Sequence, residues 1–148
     1  MALCDEINIL QYLFPAVTRI KHQDQPVRYH PFDTYTHTLL VLYSLEKINN
    51  NPLLKLAALY HDVGKREQYD MQRIKMSIDD GRNMYGSRIN HTICGADHTR
   101  QDMAALGLGR KQVDEITRYV AMHMKPGEIL FSRPDKRKHK LRLLLSEA

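Results

Sequence analysis

The run Asn51-Pro52-Leu53-Leu54-Lys55-Leu56-Ala57-Ala58-Leu59-Tyr60-His61-Asp62-Val63-Gly64-Lys65 carries the most structural information in the chain. Asn51 followed by Pro52 is a helix start: a side-chain oxygen caps the first free amides, and proline's fixed φ suits the first helical position. Apolar positions at helical spacing, Leu53, Leu56, Ala57 and Tyr60 among them, predict a helix from Pro52 to Asp62, with Gly64 closing it. His61 and Asp62 therefore fall in its last turn, where adjacent imidazole and carboxylate groups can face one point.

Working upstream, Asp33 or Thr34 can cap a helix running to about Ile48, with Leu40, Val41, Ser44, Leu45 and Ile48 as its buried stripe and Asn49-Asn50-Asn51 as its stop. His37 lies on that stripe. Before it, Lys21 to Phe32 holds Pro26 and Pro31 among polar residues and reads as a loop. The first helix is expected from Leu3 to about Phe14, with Leu3, Ile7, Leu10 and Phe14 on one stripe, interrupted by Pro15 and followed by a short piece to Ile20.

Working downstream, Glu67 to Arg88 is polar, contains Gly81 and Gly86, and suggests an excursion over the site. Ile89 to Leu106 reads as a helix with Ile93, Ala96, Met103 and Leu106 facing the core and Gly107 as terminator. Lys111 to Met124 follows, with Val113, Ile116, Val120 and His123 at apolar spacing and Pro126-Gly127 as its end; Pro134 to about Ser146 forms a last, basic helix. No β-branched run is bounded by hairpin signals, so the expected class is all-α, a bundle of about six to seven helices in one domain spanning 1–148.

Composition narrows the function classes. The chain has 148 residues, 43% of them hydrophobic and 26% charged, which suits a globular domain with its own core. Cys4 and Cys94 stand alone, which argues against a disulfide scaffold. The first residues carry Asp5 and Glu6 without a basic leader, and the apolar stretches are too short to span a bilayer, so the expected location is the cytoplasm. The net charge of +5 gathers near the end, at Arg133, Lys136, Arg137, Lys138, His139, Lys140 and Arg142. A solvated helix face explains that cluster, and so does an anionic partner such as RNA. The Leu141 to Leu145 run suits either internal packing or an oligomer contact.

Of the eight histidines, His37, His61 and His123 fall on apolar faces near helix ends, and His61 is followed directly by Asp62. A divalent metal needs neutral imidazoles and a carboxylate converging from different elements. Taken singly, a histidine on an apolar face is more often hydrogen-bonded to a carbonyl. Together, His37, His61 and Asp62 with Lys65 just beyond place an acid, two bases and a cation around one point. His98, between polar neighbours, reads as surface, His22, His30 and His139 lack support, and Met71, Met76, Met84, Met103, Met122 and Met124 are spaced as ordinary filler.

The run Ala57 to Lys65 resembles the defining signature of the HD superfamily of metal-dependent phosphohydrolases, and Thr36-His37-Thr38-Leu39-Leu40-Val41-Leu42 resembles its upstream histidine motif. His91 through Gly95-Ala96 and Leu106-Gly107-Leu108, then Val120-Ala121-Met122-His123-Met124, is similar in order and spacing to the HD portion of bacterial CCA-adding tRNA nucleotidyltransferases; Tyr29-His30-Pro31 fits too. The resemblance implies an HD-type helical bundle holding a divalent ion (Mn, Fe, Co, Ni, Mg or Zn) on His37, His61 and Asp62, with His91 and His123 lining the site or binding a second metal. It implies Asp62, Lys65 and His91 as catalytic residues, with Lys65 near substrate phosphate. The reaction would be hydrolysis of a nucleotide or nucleic-acid phosphate ester by a metal-activated water. The alternative is an RNA-binding accessory module with a vestigial site.

Two departures bear on these expectations. The family usually completes its site with an Asp far downstream, whereas Asp135, in a Pro-Asp-Lys helix start, is the only Asp after His123 and reads as a capping residue. The domain is then either incomplete in its site or short of its last helix. No paired-carboxylate motif for nucleotide transfer occurs in Met1 to Phe32, so this chain alone is not expected to add CCA.

Overall fold

The computed structural model describes residues 4, 6–23, 31–70 and 90–147. Among them every regular element is helical. In chain order these are α1 (Leu10–Leu13), α2 (Pro15–Arg19), α3 (Thr34–Glu46), α4 (Pro52–Tyr60), α5 (His91–Ala105), α6 (Arg110–Met122), α7 (Lys125–Leu130) and α8 (Pro134–Glu147). Residues 65–70 are also helical. The expected all-α class is what the chain adopts.

The local signals act as expected at most helix starts. Asp33 accepts from Thr36 N at 2.8 Å, Asn51 from Leu53 N at 2.9 Å, and Asn90 from Thr92 N at 3.0 Å, so three helices that matter for the site begin on side-chain caps. Gly107 ends α5 with φ +81, and the amides of Gly107 and Leu108 return to Ala104 O and Met103 O, the closing pattern that favours glycine.

Helices α3 and α4 pack as one antiparallel pair, α5 and α6 as another, and α4 also packs on α6. The core between them holds Ala57, Leu59, Tyr60 and Val63 against Met103, Val113, Ile116 and Val120, with Ala16, Val17 and Ile20 from α2 and its end closing one side. Asp102 ties the parts together: its Oδ2 accepts from the Tyr60 hydroxyl at 2.7 Å and from Ala16 N at 3.1 Å.

Several expectations need correction. The first helix is not continuous: residues 7–8 form a turn with Asn8 at φ 56, Ile7 is exposed, and regular α1 starts only at Leu10; Leu3 lies outside the described residues. The left-handed turn breaks the stripe that Ile7 and Leu10 would have shared.

On α3 the buried residues are Thr34 and Thr38, whereas Leu40, Ser44 and Ile48 are exposed and Val41 and Leu45 half-buried. The helix is apolar around much of its circumference, so pattern alone could not select the inner face. The threonines can be buried because Thr34 Oγ1 donates to Gln23 O at 3.2 Å and Thr38 Oγ1 to Thr34 O at 2.8 Å.

On α5 the same thing happens. Ile93, 60% exposed, and Leu106 leave the core, while the expected Ala96 and Met103 are buried together with Thr92, Gly95 and Thr99. Pro126 and Gly127 do not end the helical course; they lie inside α7, after a break at residues 123–124. Tyr29 and His30, and the excursion beyond Asp70 with Met71, Met76, Met84, Gly81 and Gly86, fall outside the described residues.

Candidate metal centre

Four helix ends meet at Asp62. His37 lies in the first turn of α3 and His61 directly follows α4; His91 opens α5 and His123 directly follows α6. In an antiparallel pair the start of one helix lies beside the end of the other, so each pair brings two histidines to the same end of the bundle. His61 begins a tight turn over residues 61–64, and the next residue, Asp62, points its carboxylate between the pairs.

The two oxygens of Asp62 face different partners. Oδ2 lies 3.1 Å from His61 Nε2, 3.7 Å from His37 Nε2 and 2.7 Å from Lys65 Nζ. Oδ1 lies 3.6 Å from His123 Nε2 and 3.8 Å from His91 Nε2. Asp62 is buried, only 2% exposed, while the histidines are partly open.

Burial alone would raise its pKa, but hydrogen bonding to His123 and His61, with the charge of His61 and of Lys65, outweighs it and holds the carboxyl well below the usual carboxylate range. At neutral pH an anion sits at the centre.

The imidazoles are oriented by their other nitrogens. His61 Nδ1 lies 2.7 Å from Ala58 O and His123 Nδ1 lies 2.7 Å from Val120 O. A carbonyl can only accept, so both Nδ1 atoms donate and both Nε2 atoms face Asp62: protonated, each can donate to the carboxylate, and with the ring neutral each offers a lone pair to an ion. Across the centre, Nε2 of His61 approaches Nε2 of His37 at 3.4 Å and Nε2 of His91 approaches Nε2 of His123 at 3.3 Å. For His91, burial first, with His123, Lys65 and His61 adding to it and Asp62 opposing, lowers the imidazole pKa to about 4. It is neutral, as a metal ligand must be.

These residues fit a divalent ion by their donor chemistry. Two groups each bring their donor atoms within 4.8 Å of one another: His37, His61 and Asp62 on one side, Asp62, His91 and His123 on the other. Nitrogens and carboxylate oxygens in such sets suit first-row transition metals. Every histidine named for the centre from sequence is in one of the groups, and Lys65 borders them. Asp135 is not: it is exposed in the first turn of α8. His98 is not either; its Nε2 lies 2.9 Å from Glu67 Oε1, which also holds Arg19 at 2.7 Å.

The sequence marks Gly64 only as a helix terminator and gives Gly95 no geometric role. A methyl group on Gly64 would overlap the His91 carbonyl oxygen and lie 2.5 Å from Gly95 N. The 61–64 turn thus rests directly on the backbone of α5, and this contact sets His91 beside Asp62. The two glycines, in Val63-Gly64-Lys65 and Cys94-Gly95-Ala96, were visible as residues; their contact was not.

The HD domain family model matches residues 34–147, and the chain belongs to that family. Curated relatives are multifunctional CCA proteins: that of Methylococcus capsulatus is 44% identical over 61 residues, 40% of this chain and 14% of the relative. That of Thioalkalivibrio sulfidiphilus is 42% identical over 61 residues (40% and 15%), and that of Pasteurella multocida 36% over 66 residues (40% and 16%). The match therefore spans about a seventh of those proteins' length. No solved structure matches. Among the described residues no helix is long and apolar enough to cross a membrane.

Proposed function

We propose that this chain is a metal-dependent phosphohydrolase acting on a nucleotide or a nucleic-acid phosphate ester. The observation that carries the reading is the convergence of four imidazole Nε2 atoms on the two oxygens of one buried, ionised carboxylate. His37, His61 and Asp62 would hold one divalent ion, and His91 and His123, sharing Asp62, would line the site or hold a second. Such an ion supplies Lewis acidity toward a phosphoryl oxygen and toward water.

The chain's own residues do the rest. The Ala58 and Val120 carbonyls keep the Nε2 lone pairs of His61 and His123 turned inward. Neutral His91 can accept a proton at the edge of the centre, and Lys65 adds positive charge where a phosphoryl group gathers negative charge. Hydrolysis breaks the P–O ester bond, water oxygen joins phosphorus, and the departing oxygen takes a proton.

Metal analysis of the purified chain, followed by turnover of nucleotides and phosphomonoesters with Mn, Fe, Co, Ni, Mg or Zn, tests this. Activity that requires metal and disappears in His61→Ala and Asp62→Ala is expected. No turnover with any metal, together with metal content unchanged in both variants, overturns it.

The exposed face of α8 favours RNA as an additional or alternative partner, since Lys136, Arg137, Lys138, His139, Lys140 and Arg142 are all solvent-facing. RNA affinity should then fall steeply with salt, drop when Lys136, Arg137, Lys138 and Lys140 are neutralised, and ignore chelator. Absence of binding at low salt removes this reading.

A further inference from the structure

Beside the donor cluster, between α3, α4 and α6, lies a cavity of about 600 Å³. His61 and His123 line it, so whatever fills it borders two residues of the metal centre. The volume is in the range of pockets that take a nucleoside-sized molecule. Away from the histidines the lining is mostly apolar, with Val41, Leu45, Leu54, Ala58 and Met122 joined by Leu144 of α8, and Tyr119 is its other ring. Arg118 is exposed at the rim. This also explains why Val41 and Leu45 lie half-buried on α3 while neither belongs to the core.

The lining discriminates among phosphate esters. A sugar or polyphosphate chain would place most of its hydroxyl or anionic oxygens against aliphatic carbon, where they lose water and find partners only at the Arg118 and Tyr119 side. A flat ring loses little there. It can meet the imidazoles of His61 and His123, whose centroids are 5.3 Å apart at 82°, and the thioether of Met122, a favoured neighbour of aromatic edges.

We propose that this cavity is the specificity subsite, taking a planar aromatic group of the phosphate ester, a nucleobase or an aryl ring, while the phosphate reaches the donor cluster. The inference rests on the phosphohydrolase reading for its substrate and on the cavity alone for its binding preference.

Binding to chelator-treated protein tests the preference without turnover. The probes are 1-naphthyl phosphate and adenosine monophosphate against glycerol phosphate and ribose 5-phosphate, titrated by calorimetry. The two aromatic esters should bind at least about tenfold tighter than the other two. Ala58→Met, which fills the cavity from a helix interior, and Leu54→Arg should each remove that advantage with circular dichroism unchanged.

A stronger response to adenosine monophosphate assigns a nucleobase; a stronger response to the naphthyl ester assigns an aryl group. Equal binding of all four esters, or wild-type preference in folded Ala58→Met, overturns the proposal. Turnover with equal kcat/KM for glycerol phosphate and adenosine monophosphate overturns it while leaving the phosphohydrolase intact. Aromatic binding without turnover under any metal supports the subsite and removes the phosphohydrolase.

Discussion

The α3–α4 pair and the α5–α6 pair deliver histidines by the same device, yet they depend on different things. In both, a histidine directly after the second helix donates Nδ1–H to the carbonyl three residues back at 2.7 Å, with nearly equal backbone angles, φ −56 ψ −34 at His61 and φ −58 ψ −28 at His123. In both, a histidine at the start of the first helix comes within about 3.4 Å of it. The first pair also supplies Asp62, while the second supplies no carboxylate to the cluster. The α5–α6 half can therefore hold an ion only through its contact with the 61–64 turn, and that contact is glycine on glycine. One half contains a site; the other becomes one by docking.

Removing the shared residue should have the largest effect. Asp62→Asn is expected to lower metal affinity of both halves by more than about a hundredfold, beyond what losing an orienting neighbour costs; metal analysis after dialysis reads it. His37→Gln and His91→Gln sharpen the comparison in the same assay. If each half holds an ion, each variant halves the bound metal, and if a single ion sits on His37, His61 and Asp62, His37→Gln alone empties the protein.

Separating the halves comes next. Gly64→Ala forces a methyl group into the His91 carbonyl, and backbone cannot move aside as a side chain can. A loss of about 3 kcal/mol in urea unfolding is expected. Wild-type stability in this variant would mean that the halves do not rest on each other.

The third prediction concerns pH and metal-free protein. His91 binds its proton at about 4 in the folded chain, against 6.5 as its ordinary value. Between these values the unfolded chain carries more protons, so stability rises with pH across the window and is lost as pH falls from about 6.5 toward 4, by roughly 2–3 kcal/mol. His91→Gln should flatten that slope. Asp62, lowered as well, adds its own loss only further down, as pH falls through and below the ordinary carboxylate range.

The smallest effect expected is that of Tyr60→Phe. It removes the 2.7 Å bond to Asp102 beneath the His61 turn while Ala16 N still bonds the carboxylate, and should cost about 1–2 kcal/mol. Metal content should be unchanged, because Tyr60 supports the α4 end without joining the cluster.

Much of this was legible in advance, for specific reasons. Asn51-Pro52 carries its helix start in its own chemistry, and His37, His61-Asp62 and Lys65 stand out together because an acid, two bases and a cation around one point have few structural uses. Misreadings cluster where one apolar residue looks as good as another. Leu40, Ile48, Ile93 and Leu106 fit helical stripes, yet each is exposed while Thr34, Thr38, Thr92 and Thr99 are buried. Threonine satisfies its hydroxyl on the preceding turn, as Thr99 Oγ1 does on Gly95 O at 2.6 Å, so a polar label does not keep it outside.

Local sequence, then, determined the helical class, the capped helix starts and the residue types able to bind a metal, since these follow from hydrogen bonding and spacing within one turn or two. Tertiary structure decided which faces turned inward, that Val41 and Leu45 line a cavity, and that Gly64 and Gly95 touch so that His91 and His123 reach the second oxygen of Asp62. Those outcomes depend on distances between residues far apart in the chain, which only packing fixes.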